Sequence, residues 1–233
     1  KYFGDLTYTR NAGSIIAAAN DHNEISGNLI LKSASNISLG KFKFIGNTNG
    51  IIEQMISQPI NIADLTMLKN TGATISLNDP VFINNTATFT SGQINSSAGS
   101  ELIFTDNSTH TGFSDASFVN GPVIKTGNDA FTFPVGKINK TAAISISAPT
   151  FVTDEFRAEY FWAIPHNNGY DSTLKDPTIN HVSDNEYWTL DRISGASNVS
   201  VTLNWEASRS GVVDHMPDLR VARWNGSLWK DEG

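Results

Sequence analysis

The chain of 233 residues contains no cysteine, which excludes disulfides, thiolate catalysis and cysteine-ligated zinc. It has no apolar run approaching the roughly 20 residues of a membrane-spanning helix, so this segment is not expected to insert into a membrane. Its opening residues, Lys1-Tyr2-Phe3-Gly4-Asp5, lack the charged-then-apolar order of a signal peptide. Basic residues are few and scattered. Sixteen Lys and Arg against 23 Asp and Glu give a formal charge of -7, and without clustered cations a phosphate backbone finds no footprint, so nucleic acid is not an expected partner. No window carries a convincing helical period, and the Gly-x-Ser-x-Gly elbow, the EF-hand loop and the His-x-x-x-His pair are all missing.

What is present reads as strands. In the first half, Leu29-Ile30-Leu31, Lys41-Phe42-Lys43-Phe44-Ile45, Ala73-Thr74-Ile75-Ser76-Leu77 and Glu101-Leu102-Ile103-Phe104 are short apolar alternations separated by Asn, Gly, Ser and Thr. Period two in short runs between turn formers predicts β-strands. A near-duplication joins them: Asp5, Leu6, Thr7, Asn11, Gly13 and Ile15 return as Asp64, Leu65, Thr66, Asn70, Gly72 and Ile75 with near-constant spacing. A unit of about 60 residues stamped twice predicts a parallel β-solenoid, with about three coils of about 20 residues per repeat.

Composition changes near residue 120. Residues 1–120 hold 15 of the 39 charged residues and no tryptophan, whereas all five Trp (162, 188, 205, 224, 229) follow. The fold class is therefore read as all-β, with a solenoid repeat domain over 1–118 and an antiparallel β-sandwich over 119–233. Phe156, Ala158, Tyr160 and Trp162 are predicted to share a core face opposite Glu155, Arg157 and Glu159, and Val199, Val201, Leu203 and Trp205 a second one. Trp224 and Trp229 across Asn225-Gly226-Ser227 predict a hairpin with aromatic ends.

Candidate chemistry is sparse. Trp162, Trp188 and Trp224 are the candidates for a carbohydrate-stacking platform, since an aromatic face with a polar tip suits sugars. Glu155 and Glu159 lie too far apart along a strand for a glycosidase pair. Asp184, Glu186 and Asp191, with Asp214 and Asp218 around His215, are the only carboxylate groupings a hard cation would suit. No cofactor is expected beyond an incidental calcium ion, and turn capping is the simpler role for these carboxylates. The five histidines read as surface or loop residues. Seven Asn-x-Ser/Thr triplets match what such a composition supplies by chance.

Two stretches go further. Ser117-Phe118-Val119-Asn120-Gly121-Pro122-Val123-Ile124-Lys125-Thr126-Gly127, followed by Phe131-Thr132-Phe133-Pro134-Val135-Gly136-Lys137, resembles a recurrent junction in very large secreted proteins of Bacteroidetes. Glu186-Tyr187-Trp188-Thr189-Leu190-Asp191-Arg192 and Val221-Ala222-Arg223-Trp224-Asn225-Gly226-Ser227-Leu228-Trp229 are similar to that family as well. The resemblance implies an extracellular, cell-surface protein, carried by the type nine secretion system and serving adhesion or gliding, with the rest of a longer polypeptide and the secretion machinery as partners. It conveys no catalytic residue. It makes Ser172 or Thr173, in Asp171-Ser172-Thr173, a candidate O-glycosylation site. The family's C-terminal sorting domain has no counterpart after Trp229, so the chain is read as an internal or truncated piece. The leading expectation is a noncatalytic stalk or adhesive module, not an enzyme. A carbohydrate-binding module that takes surface polysaccharide, and a β-helix polysaccharide-degrading enzyme with an accessory sandwich, are the alternatives.

Overall fold

The computed structural model describes residues 4–10, 15–16, 22–33, 37–56, 58–70, 72–213 and 215–233. Its first half is a parallel β-solenoid with three faces, and the corners can be read from the side chains. Strand Ile37–Gly46 buries Ile37 and Leu39 and then Phe42 and Phe44, so the inward phase slips by one residue at Gly40. Alternation has period two, and a slip means that the strand has turned a corner while keeping its apolar side inside. Ile60–Lys69 slips in the same way between Ile62 and Leu65. Val81–Ser91 turns its corner differently: Ile83 and Ala87 keep one parity, and Asn84 and Asn85 between them are both exposed.

Each coil thus contributes two bent segments and one separate strand. The first face stacks Ile37, Ile60, Val81, Leu102 and Val123 in parallel register, at steps of 23, 21, 21 and 21 residues. The second stacks Phe42 on Leu65 on Ala87, and Phe44 on Met67 on Phe89. Leu29–Ser33, Gly50–Gln54, Thr74–Leu77, Gln93–Asn95 and Val119–Asn120 form the third, also parallel throughout. Burying such side chains contributes about 1.5–3 kcal/mol each, and repetition carries that gain along the axis.

The solenoid is as the sequence predicts, but the repeat of about 60 residues is not its unit. Leu6 begins the third-face strand Leu6–Arg10, whereas Leu65 lies inside the second-face part of Ile60–Lys69. The Asp5 carboxylate accepts from the Asn28 backbone N–H, while Asp64 accepts from the Asn85 amide and pairs with Lys41. An offset of 59 residues is not a whole number of coils. An inward Leu beside an outward Thr suits any face, so two faces use the same wording. Residues 11–14, part of the duplicated stretch, lie outside the described residues.

The solenoid also runs past residue 118. Val119–Asn120 and Val123–Thr126 are still parallel rungs, and Val119 forms a further parallel bridge with Val135. Strand Glu155–Phe161 then pairs antiparallel with Val123–Thr126 and with Tyr187–Ser194, so the first-face sheet continues into the second half. Phe131–Phe133, Ile144–Ile146 and Val201–Leu203 form a second antiparallel sheet. One apolar core runs from Leu6 to Tyr160 through both parts. The antiparallel part therefore caps the last coil and covers its edge, a position otherwise open to strand addition. Phe156, Ala158 and Tyr160 are buried as predicted, with Trp162 half-buried. The second predicted core face forms only in part: Val199 and Leu203 are half-buried and pack against the core, whereas Val201 is exposed and Trp205 half-buried, and the edge strand Val201–Leu203 pairs on one side alone. Among the described residues, helix is confined to Ala207–Ser210 and two short 3-10 turns.

Candidate functional site

The three candidate tryptophans fall into two groups. Trp162 and Trp188 pack against the main core, and the Trp188 indole N–H donates to the Ala142 carbonyl at 2.7 Å. Trp224 belongs to a satellite cluster with Trp229, Ile179, Val182 and Tyr170. It faces Trp229 across the predicted hairpin at 5.8 Å, and the Asn225 carboxamide oxygen accepts from the Ser227 and Leu228 N–H groups to close the turn. Tyr170 contacts both Trp224 and Tyr187. Among the described residues no ring contact joins Trp162 or Trp188 to Trp224, so these three do not form one stacking platform. Thr173 is exposed, and its hydroxyl donates to Asp171 at 2.7 Å, with Ser172 half-buried beside it.

The carboxylate groupings come apart in the same way. Glu186 is buried against Arg209, Asp191 pairs with Arg157 at 3.1 Å, and Asp184 lies exposed. His215 faces Asp218 at 3.0 Å, and Asp214 lies outside the described residues. No group of three metal-ligating side chains occurs among the described residues. Arg157 also lies 3.9 Å from Glu101, and burial pushes the Glu159 carboxyl above its ordinary range. Among the described residues no helix is long and apolar enough to cross a membrane.

Several ionisable groups sit inside. Lys69 is fully buried at the corner between second and third faces, where its ammonium donates to the carbonyls of Ser26, Ile45 and Thr48 at 3.0, 3.1 and 2.7 Å. Burial lowers its pKa, and three carbonyl acceptors hold it in place. Lys125 holds another corner, donating to the Thr105 and Ser108 carbonyls and to the Asp129 carboxylate. His110 departs from the surface role expected of it. It points inward among Phe89, Phe104, Phe113 and Phe131, and its Nε2 meets the Thr132 carbonyl at 2.5 Å. A carbonyl only accepts, so Nε2 carries the proton. Burial lowers the His110 pKa, and the Thr132 contact offsets part of that. Each of these groups ties one coil to the next, a structural task.

A cleft of about 450 Å³ lies on the outer side of the second face. Its walls come from four successive rungs: Asn23 and Glu24, Lys41 and Lys43, Asp64 and Thr66, Asn85, Thr86 and Thr88. Lys41 pairs with Asp64 at 3.6 Å and Lys43 with Glu24 at 3.4 Å, while the Asn85 amide donates to Asp64 at 2.6 Å. The lining is hydrogen-bonding, balanced in charge and poor in aromatics. Sequence reading missed it, although the phase that puts Phe42, Phe44 and Met67 inside puts Lys41, Lys43 and Thr66 outside together. Comparison with protein-family models, with curated proteins and with solved structures returned no match.

Proposed function

We propose that this chain is a noncatalytic module of a large extracellular surface protein, in which the solenoid is a stiff stalk and its outer faces an adhesive surface. The observation that carries this reading is the unbroken core from Leu6 to Tyr160, shared by the coils and their antiparallel cap. A stack closed in this way gains length without exposing an apolar end. The partitioning of ionisable groups supports the same reading. Lys69, Lys125 and Glu186 are occupied in holding backbone or a buried partner, and the two carboxylates at the cleft, Glu24 and Asp64, face lysines. A polysaccharide-degrading enzyme would instead need an acid and a base in unequal environments facing the same bond. Extracellular localisation, delivery by the type nine secretion machinery and attachment to a longer polypeptide complete the proposal, on the resemblance of the 117–137 and 221–229 segments.

The test is incubation of the purified chain with a panel of polysaccharides, following retention and released oligosaccharide in the same wells. Retention without release agrees with an adhesive module, and neither retention nor release agrees with a plain stalk. Product appearing in proportion to protein added overturns the noncatalytic reading.

A further inference from the structure

Two columns of outward side chains climb the second face across its strands. Parallel register makes one of them Lys41, Asp64, Thr86 and Thr109, and the other Glu24, Lys43, Thr66, Thr88 and Thr111. Neighbouring rungs are about 4.8 Å apart, and the two columns about 7 Å apart along each strand. The lower rungs carry the paired charges and the upper rungs carry threonine. β-Branching holds each threonine in few rotamers, so its hydroxyl is presented at a regular place. Among the described residues the hydroxyls of Thr66, Thr86, Thr88, Thr109 and Thr111 take no partner within the chain, whereas those of Thr105, Thr126, Thr141 and Thr173 do.

The chemistry of this surface selects its ligand class. A polyanion needs unopposed cations, and Lys41 and Lys43 are each opposed by a carboxylate. An added peptide strand needs free backbone groups, and those of this face are used in the ladder. An apolar ligand finds its apolar partners turned inward. What remains is a surface of regularly spaced donors and acceptors with balanced charge. We propose that the second face binds a linear, uncharged polysaccharide laid along the solenoid axis across the Lys41/Asp64 and Lys43/Thr66/Thr88 columns. The proposal rests on the reading of the chain as a surface module with an adhesive face. Each sugar meets a hydrogen-bonding group one rung on from its neighbour's, charged on the lower rungs and a threonine hydroxyl on the upper ones. Contacts made without an aromatic platform are individually weak, so affinity is built by repetition and rises with chain length.

Titration calorimetry against uncharged linear glucan and mannan oligosaccharides of increasing length, with polygalacturonate as the charged comparison, tests this. The expected result is binding of an uncharged series that tightens with length and changes little between about 0.05 and 0.5 M salt. Thr66→Val with Thr88→Val keeps shape and strand preference while deleting both hydroxyls, and is expected to weaken binding about ten-fold with an unchanged melting temperature. Trp224→Ala is expected to bind as the parent does. The proposal is overturned by absence of binding to every uncharged glycan, by binding that the double valine variant leaves intact, or by tighter, salt-sensitive binding of polygalacturonate. Those results leave the stalk reading standing, whereas released oligosaccharide removes the noncatalytic reading itself.

Discussion

Replacing Glu186 by Gln tests how the cap is held together. The Glu186 carboxylate accepts from Arg209 Nη1 and, at 2.8 Å, from the Tyr160 hydroxyl, which raises the tyrosine pKa on top of the effect of burial. Arg209 Nη2 donates to Asn204 O and Oδ1 at 2.7 and 2.9 Å, and the guanidinium lies 5.4 and 5.5 Å from the Tyr160 and Trp188 rings. Side-chain exposure is 0% for Arg209 and 4% for Glu186. The amide keeps the shape and removes the charge, leaving a guanidinium among aromatic rings with no counter-ion. Breaking one side of a buried pair costs about 3–5 kcal/mol, a large part of the ~5–15 kcal/mol available to a folded chain. The melting temperature is expected to fall by about 6–20 °C for a protein of this size. Urea unfolding followed by tryptophan fluorescence reads the effect directly. Glu186→Gln with Arg209→Met removes both charges and is expected to recover part of the loss. A single-variant cost under about 1 kcal/mol, or a double variant as unstable as the sum of the singles, refutes this reasoning.

Other consequences follow from the interior. Lys69→Ala strands three carbonyls and opens a cavity, with an expected cost of about 3–5 kcal/mol, and Lys69→Met is expected to recover the packing part only, as measured by chemical denaturation. His110 is neutral in the fold with a pKa below its ordinary 6.5. Its contribution is therefore complete above about pH 6.5 and is lost as the pH falls toward the lowered folded value; Phe89, Phe104, Phe113 and Phe131 offer no counter-charge, and Lys125, over the Phe131 ring, is itself a cation. Melting temperature against pH checks this, and His110→Phe is expected to flatten the profile between pH 5 and 7. Gly195 has φ +85, and an added Cβ would lie 1.6 Å from the Asp154 carboxylate that accepts from Ala196 N–H. Gly195→Ala is expected to cost more than the ~1–2 kcal/mol of a left-handed non-glycine residue, again by denaturation.

Alternation alone carried much of the fold. Phe156, Ala158 and Tyr160 are read inward from sequence and are inward, and Asn225-Gly226 marks the turn between Trp224 and Trp229. A coil of about 20 residues was legible, against observed steps of 21 to 23, but the unit of about 60 residues was misleading because inward Leu beside outward Thr serves every face equally, so Leu6 and Leu65 match in sequence and differ in place. The end of the solenoid was hidden for a related reason. Composition marks where tryptophan begins, while Val119–Asn120 and Val123–Thr126 prolong the coil through backbone pairing, which leaves no compositional trace. His110 was taken for a surface group by residue type, and Lys69 and Lys125 were not singled out, although Leu65, Met67 and Lys69 share one parity and Lys69 follows the two apolar residues inside. The outward cleft needed that same parity together with rung register, which only the folded chain supplies.

The fusion of coils and cap into one core can be tested by comparing two probes of a single unfolding curve. All five tryptophans follow residue 160, so tryptophan fluorescence reports the cap, while hydrogen exchange at amides of Phe42, Leu65 and Phe89 reports the coils. One shared core predicts a single free energy of opening for both, across urea concentrations. Coils that stay protected after the cap has melted, or a cap that outlasts them, would contradict it.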